Sequence, residues 1–542
     1  MSFRARLPAP SNRRPLFVGA IVLPIVLISI AWTMVWPSTG WADWMPHWFP
    51  VPAEDAYILY RYSENFSSGG GIVWNIGESP VDGATDFLWM LVLTGWTAVF
   101  GQVIPGNYIL GGLLAVGAGL VAYWGAGRLR ANRSRALVLM PVVLVSPMAY
   151  HVINGYGVAL LSLLLGINLV LFIIVSQPSR RPTRKEYALW GVVLLLVGMA
   201  RPDANIFNAA LLVGHTGILL ARRQSLQTFI TMLSACYVLP GAIFLGLRVA
   251  YFDELLPAPA LVKVGSDSLW ELFRFNLDKY GLRTLLPIAI FALPTAFLAR
   301  RELTGAFRAA LFAVLIYLFA FQLFSQSQND SFRFEYPMVY LAALLAVLSF
   351  ALSDTGAGAQ RIKFLVLIAG GSLAFLAMTP PSYAIPDAKW SVASVLREYQ
   401  DEELVLATTE AGVLPFVSGL KTLDTYGLND YEIARNGISA EYWSSFSPGI
   451  VVNHAGFGWP SEQSEGNRLE LYERMIESGN YVPVAALQVR RPFGRDRAGD
   501  YYVVFVRDDY PAFERLVDQL TTIDGETYVE IPGPFSARFR GN

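Results

Sequence analysis

The sequence holds a single cysteine, Cys236, and only four histidines, His47, His151, His215 and His454, in 542 residues. One cysteine excludes an internal disulfide and any thiolate metal cluster, and the histidines lack the spacing of zinc ligands. Charge is scarce too: Asp, Glu, Lys and Arg make up 15% of the chain, and 41 basic against 42 acidic residues leave a net charge of -1. No field of one sign is available to recruit nucleic acid. Gly69-Gly70-Gly71 is not followed by Lys-Ser or Lys-Thr, so it permits a turn and does not cradle a nucleotide phosphate. What is abundant is apolar surface, 54% of residues with a mean hydropathy of +0.42, more than one soluble core can hide.

A bilayer-spanning helix needs about 20 apolar residues. That rule places eleven spans near 16–36, 105–127, 136–150, 153–175, 187–200, 204–221, 226–250, 282–299, 306–324, 336–353 and 362–378. The first apolar run is too long for a signal peptide and is read as a retained helix. With a cytoplasmic N-terminus, the inside segments 1–15, 128–135, 177–186, 222–225, 300–308 and 354–363 each carry at least two Lys or Arg residues, as cytoplasmic loops do. The apolar stretch Phe87–Phe100, 14 residues long, is too short to span and is expected to lie along the outer leaflet, within a long outside loop 37–104. From about 380 the composition turns polar. Strand-like patterns at 404–408 and 501–507 and a helical one at 512–521 predict an α/β domain, which the odd number of spans puts outside. The expected architecture is an α-helical polytopic membrane protein, 1–379, followed by an extracytoplasmic α/β domain, 380–542.

Ionisable residues in apolar surroundings cost free energy and mark partners or sites. Three outside segments hold them. In Val51 to Tyr62, a helix after Pro52 sets Glu54 and Arg61 on one face and turns Asp55 the other way. A partly desolvated carboxylate suits a general base toward a hydroxyl, while acids at a helix start are equally explained by its dipole. The loop continues through Asp82-Gly83-Ala84-Thr85-Asp86. Tyr251 to Lys263 ends on a lone lysine that can meet a phosphate or snorkel toward headgroups. Gln328 to Pro337 contains Asp330 and Arg333, of which the arginine can clamp a phosphate and the aspartate orient it. Arg201-Pro202-Asp203 is a fourth candidate, equally well read as an ion pair within its own loop. Glu54 and Asp55 offer oxygen ligands suited to a divalent cation, Mg²⁺ or Ca²⁺, although nothing in the sequence requires one.

Together these blocks resemble the GT-C class of membrane glycosyltransferases, which take sugars from polyprenyl-phosphate carriers. In particular, Glu54-Asp55 with Arg61, Arg201-Pro202-Asp203, Tyr251 through Lys263, Asp330 with Arg333, and Leu423-Asp424-Thr425-Tyr426-Gly427-Leu428-Asn429-Asp430 are similar, in order and spacing, to the bacterial terminal β-(1→2) arabinofuranosyltransferases. The acidic pair here is Glu-Asp where that family has Asp-Asp. The resemblance implies a GT-C fold in the bacterial plasma (inner) membrane and an inverting transfer of a sugar, arabinofuranose in that family, to a hydroxyl of a cell-envelope glycan or glycoprotein acceptor. It implies Asp55 as base, Glu54 orienting Asp55 or a cation, and Lys263 and Arg333 on the donor phosphate. Arg61 would hold a carboxylate or that phosphate, with Tyr57, Arg201, Asp203 and Asp330 in support and no nucleotide cofactor. Two other readings stay open, a transporter or flippase of lipid-linked sugars and a non-catalytic envelope scaffold. Against the first, the charges gather at one surface rather than at the bilayer midplane, and no internal repeat is evident.

Overall fold

A computed structural model describes residues 51–144, 147–178, 181–263, 268–296, 301–324, 329, 332–353, 357–378, 387–455, 474–475, 480–488 and 501–523. The expected first span, 16–36, lies outside the described residues, as does the boundary near 380. Six helices are long and apolar enough to cross a membrane: Val103–Arg128, Val158–Val175, Pro202–Ala221, Gln227–Phe252, Leu303–Phe321 and Gly358–Met378. Arg184–Ala200, Leu282–Ala296 and Tyr336–Ala351 are shorter, at 17, 15 and 16 residues. Six such helices thus stand among the described residues against eleven expected spans.

Position in the bundle follows composition. Val158–Val175 is apolar on every side and Tyr336–Ala351 is buried along its whole length, so this pair forms the centre. Gln227–Phe252 turns Ile230, Val238, Leu239, Ile243, Leu245 and Leu247 outward, the face a helix shows to lipid. Its π turn at Ser234–Val238 comes just before Pro240, where an ordinary α turn would press the proline ring on the preceding carbonyl.

The expected span 136–150 is corrected. It is interrupted at Leu139, between Arg133–Val138 and Met140–Leu144, and residues 147–154 form the further helix Pro147–Asn154. Pro141 removes a helix donor and its ring crowds the carbonyl of the preceding turn, so the apolar run does not continue through Leu139 as one rod. Phe87–Phe100, by contrast, is a helix over the expected residues, ended by Gly101 at φ 80°.

The C-terminal region carries one five-stranded sheet, ordered β2-β1-β3-β5-β4, from β1 (Val405–Thr408), β2 (Lys421–Asp424), β3 (Ile450–Ala455), β4 (Tyr481–Gln488) and β5 (Tyr501–Arg507). β1 runs parallel to β2 and β3, while β5 is antiparallel to β3 and β4. Helices Ala388–Arg397 and Phe513–Thr521 pack on one face through Val392, Leu396, Leu516 and Leu520; Tyr431–Asn436 and Ala440–Phe446 pack on the other through Ile433 and Trp443. The edge strand β2 is covered by the loop that follows helix Ala56–Ser67. Asn75 Oδ1 accepts from the Thr422 N–H at 3.0 Å, and Asn75 Nδ2 and Trp74 Nε1 donate to the Thr422 carbonyl at 3.0 and 3.1 Å, so side chains replace the missing neighbour strand. The apolar core of the bundle continues through this seam into Trp390, Ala411, Val413 and Leu428.

Candidate active site

Helix Ala56–Ser67 begins beyond Pro52, with Asp55 at the N-cap position but making no capping hydrogen bond. Its start is tied to the bundle by the Ala53 N–H, which donates to the Asn154 carbonyl at 3.1 Å. The two adjacent acids then part. Asp55 turns to the bundle, where Arg333 Nη2 donates to its Oδ2 at 2.8 Å. Among the described residues Oδ1 has no partner, and the side chain keeps 20% of its surface exposed. Arg333 is buried, with its guanidinium 4.1 Å from the Tyr156 ring centre and 4.9 Å from that of Phe334.

Glu54 turns the other way, into the C-terminal domain. Oε2 accepts from Lys389 Nζ at 2.6 Å, and Oε1 accepts from the Gly412 and Val413 N–H groups, both at 2.9 Å. An acid does decorate a helix N-terminus here, but the helix is Val413–Ser418, 359 residues further on. Burial raises the Glu54 pKa, partly offset by Lys389. The expected role of Glu54 is thereby corrected: both oxygens are engaged away from Asp55, so it neither orients that residue by contact nor shares a cation with it. The pair does not fit as joint ligands of Mg²⁺ or Ca²⁺, and no group of three His, Cys, Asp or Glu suited to a metal occurs among the described residues.

Arg61, two turns along the same face as Glu54, is corrected as well. Nε donates to the Trp74 carbonyl at 2.8 Å, Nη1 to the Pro415 carbonyl, and Nη2 to Asn75 Oδ1 at 2.9 Å and the Leu420 carbonyl at 2.8 Å. Burial lowers its pKa to about 10, which leaves it charged at neutral pH. With four of its five N–H donors spent on the C-terminal domain and the loop that follows its own helix, Arg61 ties those two together rather than facing a phosphate. Tyr57 is fully buried between Tyr60, Trp390 and Phe416, and its hydroxyl has no partner among the described residues.

Arg201 Nε donates to Asp203 Oδ1 at 3.0 Å, so the pair within the loop exists, and Tyr317 donates to Asp203 Oδ2 at 2.7 Å. The assembly reaches further than the loop. Arg201 lies 4.0 Å from Asp86 and 4.7 Å from the centre of the Phe334 ring, so the guanidinium groups of Arg201 and Arg333 share one aromatic neighbour. Asp86 in turn accepts from the Gly157 N–H at 3.2 Å, one residue beyond Tyr156. Lys263 ends helix Ala258–Lys263, which is held to the first loop where the Ala258 N–H donates to the Asp82 carbonyl at 3.0 Å. The Asp82 carboxylate pairs with Arg248. Asp330 and the Lys263 side chain lie outside the described residues.

The fifth block closes the seam. Asp424 accepts from the Tyr426 and Asn429 N–H groups and from Asn429 Nδ2, and burial pushes its pKa up to about 6. Gly83 passes so close to Asn429 that a Cβ there would stand 2.0 Å from Asn429 Oδ1. The block is thus a turn docked on the first loop. Sequence reasoning gave no site role to Asp86, Tyr156, Tyr317 or Lys389. Asp86 sits in a polar run already singled out, whereas the other three leave no local signature.

Comparison with known proteins follows this geometry. The structure matches the crystal structure of ArnT from Cupriavidus metallidurans bound to undecaprenyl phosphate, at a TM-score of 0.53 and 13% identity, over 90% of this chain and 98% of that one. The fold is GT-C. The arabinofuranosyltransferase AftD from Mycobacteria aligns at a TM-score of 0.49 and 16% identity, over 93% of this chain and 40% of that one. In sequence, a terminal β-(1→2)-arabinofuranosyltransferase of Corynebacterium glutamicum is 24% identical over 255 residues, 42% of this chain and 35% of that protein. The matches therefore cover about two-fifths or less of those two arabinofuranosyltransferases. Residues 382–506 match the model of a family described as a domain of unknown function, DUF8728. With this fold and six helices long and apolar enough to cross a membrane among its described residues, the chain is a multi-pass membrane protein.

Proposed function

We propose that this protein is an inverting glycosyltransferase that moves a sugar from a polyprenyl-phosphate donor to a hydroxyl of a cell-envelope glycan or glycoprotein. The observation that carries the reading is Asp55: a carboxylate with one oxygen held by Arg333 and the other free among the described residues, at the start of a helix where Glu54 and Arg61 are tied down. In this scheme the acceptor hydroxyl gives its proton to Asp55 Oδ1 as its oxygen bonds to the anomeric carbon. The bond from that carbon to the phosphate oxygen breaks, and its electron pair leaves with the polyprenyl phosphate. Arg333 and Lys263 stabilise the charge of the departing phosphate. Attack from the face opposite the phosphate inverts the anomeric centre, since no covalent enzyme intermediate intervenes.

The structure of ArnT bound to undecaprenyl phosphate supports a lipid-linked donor, and the relative named an arabinofuranosyltransferase makes arabinofuranose the first sugar to try. Arg201, Asp203 and Asp86 support the Arg333 side through Phe334. The site and the C-terminal domain face outward from a bacterial plasma membrane, with the N-terminus in the cytoplasm. The C-terminal domain then stands where an acceptor must approach. The test is purified protein in lipid nanodiscs with a polyprenyl-phosphate sugar and a glycan acceptor. Release of polyprenyl phosphate together with glycosylated acceptor is the expected result. Movement of intact donor across a vesicle membrane would mark a flippase, and acceptor binding with no turnover would mark a scaffold.

A further inference from the structure

Lys389 occupies a place that ordinary folding preferences disfavour. It lies in the first turn of helix Ala388–Arg397, where the helix dipole opposes a cation, and only 8% of it is exposed. Three carboxylates surround it. Glu54 Oε2 is at 2.6 Å and Glu410 Oε2 at 3.1 Å from Nζ, while Asp387 caps its own helix and accepts from the Tyr502 hydroxyl. The Tyr502 ring centre is 4.9 Å from Nζ, and His454 Nδ1 approaches Glu410 at 3.4 Å. Burial works against the charge on Lys389, yet these neighbours hold its pKa well above the usual value; Lys389 and His454 likewise outweigh the burial of Glu410 and hold that acid well below the carboxylate range. Glu54 is the one member of this cluster that belongs to the first loop, and the next residue is Asp55.

We propose that Lys389 is a positioning residue for the transfer: by gripping Glu54 it fixes the start of helix Ala56–Ser67 and so sets the Asp55 carboxylate against Arg333. The inference rests on the reading of Asp55 as the base. It assigns the C-terminal domain a part in the chemistry beyond presenting the acceptor. Among the described residues, the Asp55 carboxylate accepts one hydrogen bond, from Arg333, whereas that of Glu54 accepts three, all from the C-terminal domain. The register of Asp55 is thus held from the next residue. The other half of the grip leaves no slack, because a Cβ on Gly412 would stand 2.1 Å from the Glu54 carbonyl oxygen. Displacing a reacting group by about 1 Å lowers a rate by roughly 100-fold, so a grip one residue away governs turnover without touching the donor.

The test uses the full chain in nanodiscs, with wild type and Asp55→Asn alongside, and reads donor affinity and kcat separately for Lys389→Met, Glu54→Gln and the double variant. Positioning lowers kcat by about 10–100-fold in each single variant. It leaves donor Kd within about threefold, makes the double variant no slower than the slower single, and lets Lys389→Arg recover part of the rate. A merely structural pair reduces the yield of folded protein but leaves kcat per folded molecule unchanged. That result, or donor affinity falling in step with kcat, or single effects that multiply, overturns the proposal. Should Lys389→Met fail to fold, Gly412→Ala, which presses on Glu54 from the other side, must lower kcat at constant Kd or the proposal falls. A wild type that releases no polyprenyl phosphate, or an Asp55→Asn variant that still does, would defeat the underlying reading of Asp55 and the proposal with it.

Discussion

The two faces of helix Ala56–Ser67 differ as sharply as two separate proteins would. On one, Glu54 and Arg61 spend nearly all their hydrogen-bonding capacity on the C-terminal domain and the loop beneath it. On the other, Asp55 meets a single guanidinium and keeps an oxygen open. Three charges on one short segment therefore cannot be assigned to one task. Saturated groups fix geometry, because a buried charge left without partners is costly and the fold is held to supplying them. A half-satisfied group at the seam is free to react.

The comparison gives variants a ranking. Asp55→Asn has the largest expected effect, a loss of about 100–10,000-fold in the rate of polyprenyl-phosphate release, the range a positioned general base contributes. Arg61→Met, on the saturated face, should act on stability instead. It removes four hydrogen bonds, to the Trp74, Pro415 and Leu420 carbonyls and to Asn75; each acceptor keeps a second donor, so the loss is that of the bonds themselves, ~0.5–1.5 kcal/mol each, and the seam should loosen by about 2 kcal/mol or more. Limited proteolysis that frees the C-terminal domain faster than in wild type is the readout, and unchanged protection would erase the contrast between the faces. Arg333→Ala and Lys263→Ala should each weaken donor binding by roughly 10-fold or more, as loss of a charged hydrogen bond does, and because Arg333 is buried against Asp55 its binding is compared per folded molecule.

The smallest effect is expected at Glu64, in a cleft of about 200 Å³ at the same seam, lined also by Asn65, Asn75, Phe416 and Lys421. Burial pushes its pKa up to about 7 from an ordinary 4.5. The folded protein then holds a proton that the unfolded chain releases, so stability declines as pH rises from about 4.5 to about 7. Glu64→Gln should raise the melting temperature at pH 8 by a few degrees at most and leave it unchanged near pH 4.5. Equal shifts at both pH values would contradict the assignment.

Much of this was legible before any coordinates. Helix Phe87–Phe100 stands out because no charged residue interrupts the mostly apolar run between Asp86 and Gly101, and the strands at 404–408 and 501–507 because their patterning is local. The opposite orientation of Glu54 and Asp55 follows from helical spacing alone, and so does the shared face of Glu54 and Arg61. What those faces meet does not. Lys389 lies 335 positions from Glu54, and Pro415 lies 354 from Arg61, so their pairing is a product of tertiary packing. The interruption at Leu139 was missed for another reason: a count of apolar residues weighs Pro141 by hydropathy and passes over its missing donor.

The most direct test of the central claim is single-turnover chemistry with donor already bound, run on Asp55→Asn and Glu54→Gln side by side. The account expects Asp55→Asn to keep its donor and show no burst of polyprenyl phosphate, while Glu54→Gln shows a slower burst. Equal bursts from the two variants, or a normal one from Asp55→Asn, would contradict it.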